Sequence, residues 1–122
     1  MCLLASMKLL LTAATEAEIS PLLAYLQKLW QPEISSKYTR RAVEIHICIS
    51  GVGMMSTAYH LAKTCSASSY DFALQVGVAG SFTESIALGD LVSIVSDQYG
   101  DLGAEDHYNF ISIFDLGLLE KD

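Results

Sequence analysis

Positive charge is scarce in this sequence. Seven Lys and Arg stand against fourteen Asp and Glu, a formal net charge of -7 over 122 residues. Arg40 and Arg41 are adjacent, but no basic stripe exists. A surface that follows a phosphate backbone needs several clustered cations, which excludes nucleic acid as a partner class. Cysteine is sparse as well. Cys2, Cys48 and Cys65 are widely spaced, odd in number and without a C-x-x-C pair. That excludes a disulfide framework and a zinc motif, and points to a reducing, cytoplasmic setting. No stretch reaches the roughly 18–20 apolar residues of a membrane-crossing helix, so no membrane partner is expected. The N-terminal MCLLASMKLLLTAA lacks a basic leader, and Lys8 interrupts its apolar run, so it reads as a first strand and not as a signal peptide. Met7 is then a candidate start, with residues 1–6 an upstream extension. Ser50, Ser81 and Ser85 lack a G-x-S-x-G setting, which argues against a serine nucleophile. Asp101, Glu105, Asp106 and His107 match neither a calcium loop nor a zinc spacing and read as a solvated acidic loop. Neither a metal nor a cofactor is expected.

What is present is a chain able to fill a core: 52% of it is hydrophobic and 17% charged, on a length that suits a single domain. Residues 8–13 form an apolar run of strand length. Thr15 and Glu18 then make a Thr-x-x-Glu capping box. Ile19, Leu22, Leu23, Leu26 and Trp30 follow at helical spacing. Pro21 removes a helical hydrogen bond, so the expectation is a first turn at 16–19, a kink, and a main helix over 21–30, closed by Pro32. Val43, Ile45, Ile47 and Ile49 alternate with Glu44, His46, Cys48 and Ser50, a strand with one wetter face, and 37–41 is a candidate partner strand. His46 and Cys48 read as packing residues and not as ligands. Gly51-Val52-Gly53 turns into a second helix whose apolar face is expected to be Met54, Met55, Ala58, Leu61, Ala62 and Cys65, with Ser56, Thr57, His60, Lys63 and Thr64 outward.

The run FALQVGVAG at 72–80 is wholly apolar but for Gln75 and broken by Gly77 and Gly80; it predicts a strand buried on both faces. Glycines at its carboxyl end let another group approach bare backbone, and ligands of open α/β sheets sit at such ends. That places a small-molecule pocket over Val78, Ala79 and Gly80. Gly89-Asp90 predicts a turn into a strand at 91–96; 98–109 reads as a loop, and 110–114 as a short strand or helical turn. The order β-α-β-α-β-β predicts the α/β class.

Three segments together resemble the nucleoside phosphorylase/nucleosidase superfamily: the first strand with its Thr-x-x-Glu turn, Ser50-Gly51-Val52-Gly53, and Val76-Gly77-Val78-Ala79-Gly80 with Gly89-Asp90 downstream. The family patterns are S-G-[IV]-G for the second and G-[ST]-A-G for the third. TAATEAEI at 12–19, DLGAED at 101–106 and FDLGLLEKD at 114–122 are similar to the futalosine hydrolases of menaquinone biosynthesis. The resemblance implies a phosphorylase/hydrolase-like mixed sheet flanked by helices. It implies hydrolysis of the N-glycosidic bond of a purine nucleoside and a homo-oligomer, dimer or larger. Glu18 matches the water-activating glutamate; Ala14, Val52, Val78, Ala79 and Gly80 match positions that line the nucleoside. Val78 stands where many nucleosidases carry Ser or Thr, so a hydroxyl that would help hold the water is absent. Family members are longer, and their acid Asp and ribose-binding Glu fall beyond residue 122, so residues 1–122 are expected to be the N-terminal part of one such domain, incomplete at its C-terminus. The turn 14–18 is acidic and lacks the arginine with which related phosphorylases hold phosphate, so water is the expected nucleophile. Two alternatives stand beside this reading: a methylthioadenosine/adenosylhomocysteine nucleosidase, and a non-catalytic module that binds a nucleoside or assembles with a partner.

Overall fold

Seven consecutive residues without a helix breaker, apolar but for Lys8 and Thr12, make the first strand, β1 (Met7–Ala13), and the rest of its unit forms around it. In a computed structural model that describes residues 7–32 and 36–120, the helix α1 (Glu16–Leu29) follows, then the short strands β2 (Gln31–Pro32) and β3 (Lys37–Arg40). Next come β4 (Val43–Ile49), the helix α2 (Met54–Ala67) and β5 (Phe72–Gln75). The strand order is β2-β3-β4-β1-β5. β1 pairs parallel to β4 and β5, while β2, β3 and β4 pair antiparallel, so the sheet is mixed and the class is α/β. The described residues fall into two compact units, divided between Gly80 and Ser81. Among them no helix is long and apolar enough to cross a membrane.

Within the first unit the chain crosses from β1 to the edge strand β2, steps back through β3 to β4, and then crosses β1 to reach β5 at the other edge. Right-handed crossovers in opposite directions place the two helices on opposite faces of the sheet. The strands' alternation agrees. Odd-numbered Leu11, Ala13 and Ile45 pack with Ile19 and Leu26 of α1 and with Tyr38 of β3 in the main core. Burying each of the larger aliphatic side chains contributes about 1.5–3 kcal/mol. The even-numbered face, with Thr12 and Cys48, carries α2.

The helix α1 runs from Glu16 to Leu29 as one element, not as a first turn followed by a separate main helix. Pro21 lies inside it and cannot donate to the carbonyl of Ala17, four residues earlier. The Ser20 hydroxyl donates to that carbonyl instead, at 3.2 Å. A neighbouring side chain thus supplies the donor that the proline lacks.

Two further expectations are corrected in this unit. The predicted double-sided burial of 72–80 does not hold: β5 is only Phe72–Gln75, is exposed throughout, and forms the sheet's edge. An apolar run signals a strand but not its rank in the sheet. The helix α2 is rotated from the predicted orientation. Ser56, Thr57, His60 and Thr64 are half-buried, whereas Met54, Met55, Ala58, Ala62 and Cys65 are exposed, Met55 by 88%. Only Leu61 of the predicted face is half-buried. The cause is a polar sheet surface. Thr57 Oγ1 meets Ser50 Oγ at 3.3 Å, Thr64 Oγ1 meets Cys48 Sγ at 3.5 Å, and Ser56 Oγ donates to the Ser50 carbonyl at 2.7 Å.

The second unit differs from its prediction too. Residues 91–99 carry no strand, since apolar composition without a partner leaves a strand's backbone groups unpaired. The expected loop at 98–109 contains β6 (Gly103–Asp106), which pairs antiparallel with β7 (Asn109–Ser112). The connecting turn is His107-Tyr108, with His107 at φ 54°.

Candidate functional site

The loops after β1, β4 and β5 leave the same carboxyl edge of the sheet, where the crossover from β1 runs toward β2 and the crossover from β4 runs the opposite way to β5. Crevices at such a reversal are where α/β sheets bind ligands. Ala14 and Glu18 follow β1, Val52 follows β4, and Val78, Ala79 and Gly80 follow β5, so the topology assigns all six predicted residues to that edge.

Glu18 is fixed by the start of α1. It is the third residue of the helix, and with Thr15 it forms the reciprocal capping box. The Thr15 N–H donates to Glu18 Oε2 at 2.9 Å. The other carboxylate oxygen turns to the segment after β5, where the Val78 N–H donates to Oε1 at a longer 3.4 Å. A Cβ added at Gly77 would lie 3.3 Å from the same Oε1, so the missing side chain there permits the approach. A Cβ at Gly80 would meet nothing within 4 Å. The amides of Thr15 first, then Val78 and Ala14, hold the Glu18 carboxyl below the usual 4.5. Its place in the first turn of the helix favours the anion further. The carboxylate is therefore ionised at neutral pH.

The structure brings Glu18, Ala14, Gly77 and Val78 together. Val52 and Val78 are 77% and 79% exposed, and Ala79 and Gly80 are exposed too, so the edge is open. Hollows of about 400 Å³ and about 250 Å³ lie elsewhere, the first lined by Leu10, Tyr70 and Phe72 and the second by Leu29, Thr39 and Arg40. The predicted pocket over 78–80 is thus an uncovered ledge with one charged group beneath it.

The turn before α2 is built tightly. Gly51 has φ 77°, and a Cβ there would collide with Ser56 Oγ, whose hydrogen bond to the Ser50 carbonyl ties the turn to the helix. His60 does not face outward: its Nδ1 lies 2.9 Å from the Ser56 carbonyl, which makes it a helix-internal donor and not a base for the Ser56 hydroxyl. Among the described residues, no group of three or more His, Cys, Asp or Glu could hold a metal ion.

One constellation escaped the sequence reading. His46, assigned to packing, bonds through both ring nitrogens, to Glu44 and to Tyr70. Glu44 and His46 share a strand face two residues apart, a local signal; Tyr70 lies 24 residues further on and gave none. Compared with protein-family models, curated proteins and solved structures, the chain matches none of them.

Proposed function

We propose that this chain carries the water-positioning half of a purine nucleosidase site, of the futalosine hydrolase type, releasing hypoxanthine from futalosine in menaquinone biosynthesis. The observation that supports this reading is the ionised Glu18 carboxylate at the carboxyl edge of β1, turned toward Gly77 and Val78. Cleavage of an N-glycosidic bond passes through an oxocarbenium-like transition state, in which positive charge grows on the sugar. A fixed anion below the ledge stabilises that charge and orients an attacking water. Its lowered pKa makes Glu18 a weaker base than a free glutamate but keeps it charged throughout the neutral range. Electrostatic stabilisation and orientation of the water are then its larger contributions, with proton removal following as the bond to the base breaks. Glu16 and Glu18 make the same turn unfavourable for phosphate, which favours hydrolysis over phosphorolysis.

The openness of the ledge favours a second reading, a module that binds a nucleoside without turning it over. One experiment separates the two: hypoxanthine release from futalosine, followed beside futalosine binding by calorimetry, for the chain and for Glu18→Gln. Release that depends on Glu18 supports the nucleosidase. Binding without release supports the module, and release unaffected by the substitution removes Glu18 from the mechanism.

A further inference from the structure

A second group of reactive side chains lies on the opposite side of β1 from α1, on the even-numbered face of β4. Lys37 Nζ is 2.9 Å from Glu44 Oε2, Glu44 Oε1 is 2.6 Å from His46 Nε2, and His46 Nδ1 is 3.0 Å from the Tyr70 hydroxyl. The rings of His46 and Tyr70 meet edge to face, 5.2 Å apart at 80°. Elementary chemistry orders the hydrogens. The Glu44 carboxylate only accepts, so His46 Nε2 carries the proton; in the neutral ring Nδ1 then offers a lone pair, and the phenol donates to it. Lys37, first among the causes, holds the Glu44 carboxyl below the usual 4.5 and so keeps the accepting end ionised. Burial raises the Tyr70 phenol above its usual value, with a hydrogen bond from Ser68 opposing it, so the hydroxyl keeps its proton until a base removes it. Tyr70 also lines the hollow of about 400 Å³, together with Leu10, Cys65, Ser68 and Phe72.

A nucleophilic oxygen, a base within hydrogen-bond reach, and a third group orienting that base is the arrangement that activates hydroxyls for covalent chemistry. We propose that Tyr70 is an activated phenol, with His46 as its base and Glu44 as the orienting carboxylate, and that the hollow beside it admits a small activated acyl ester. In the step, the phenol oxygen attacks the ester carbonyl while the phenol proton passes to His46 Nδ1. The ester C–O bond breaks, the leaving alkoxide or phenoxide takes the proton back from His46, and Tyr70 is left acylated. No redox partner is needed. This site shares no residue with the Glu18 ledge and does not depend on it.

The test uses p-nitrophenyl acetate at neutral pH, with acetylation of each tyrosine counted by peptide mass spectrometry. Tyr59, at 64% exposure, gives the rate of an ordinary accessible phenol in the same sample, and Tyr38, at 8%, reports whether the fold is intact. Tyr70 is expected to acetylate about a hundredfold or more faster than Tyr59, the lower end of what a positioned base supplies. His46→Gln should bring Tyr70 down to the Tyr59 rate with Tyr38 still protected, and Glu44→Gln should lower it part of the way. A wild-type Tyr70 no faster than Tyr59 overturns the proposal, as does a His46→Gln protein with Tyr38 protected and Tyr70 unchanged. Should His46→Gln expose Tyr38, the wild-type ratio and Glu44→Gln decide.

Discussion

Alanine at position 51 tests how the turn into α2 is held. Gly51 sits at φ 77°, in the left-handed region, and a Cβ there collides with Ser56 Oγ. The backbone term alone costs about 1–2 kcal/mol for a residue with a side chain. Relief of the collision requires Ser56 to leave the Ser50 carbonyl, which it now reaches at 2.7 Å; that bond contributes about 0.5–1.5 kcal/mol. Gly51→Ala should therefore destabilise the first unit by about 1.5–3.5 kcal/mol, summing the strain and the lost bond. Ser56→Ala alone loses only the bond, about 0.5–1.5 kcal/mol. In the double variant the bond is lost once and the collision is gone, leaving a tight 3.3 Å contact with Cβ of residue 56. It should be no less stable than Gly51→Ala, so the two effects are coupled and not additive. The assay is urea unfolding followed by the fluorescence of Trp30, the sole tryptophan, which packs against the main core. Additive costs in the double variant, or a Gly51→Ala protein as stable as the parent, would refute the steric account.

Glu18→Gln keeps the shape of the capping residue and removes its charge, so hypoxanthine release should fall by about a hundredfold or more, on the scale of a lost transition-state electrostatic contact, while circular dichroism stays unchanged. The Glu18 pKa is lowered in the folded chain, so its favourable charge is fully present above the ordinary 4.5 and is lost only as pH falls through a still lower value. The acid limb of activity, and the Glu18 carboxyl resonance in an NMR titration, should both move below 4.5. Leu26, 2% exposed in the main core, should cost about 2–5 kcal/mol when truncated to alanine, read as a shift of the same urea transition.

Local chemistry made part of this fold legible. The capping box at Thr15 and Glu18 marked the start of α1, and the alternation from Val43 to Ile49 marked β4 with its two faces. Helical spacing grouped the residues of α2 onto faces. Which face meets the sheet was decided by Cys48 on β4 and Ser50 just after it, whose thiol and hydroxyl bond to Thr64 and Thr57, a pairing no window over α2 contains. The run at 72–80 showed a strand but not that β5 would be the last one of its sheet. The hairpin of β6 and β7 stayed hidden because its turn, His107-Tyr108, has none of the usual turn chemistry, with His107 adopting a left-handed conformation that glycine or asparagine takes more readily. Of the site, Glu18 and its neighbours along the chain could be read directly. The approach of Val78 to its carboxylate spans 60 residues and needed the fold.

The seat of α2 has a thermal consequence. Hydrocarbon contacts lose strength as water is cooled, whereas contacts between hydroxyls, a thiol and a carbonyl do not depend on that driving force. One side of β1 is held by aliphatic packing and the other by small polar pairs, with the Thr12 hydroxyl between them lacking any bond of its own. Chilling should slacken the α1 side first, and warming the α2 side, so amide exchange in the two helices should change rank between a cold and a warm sample.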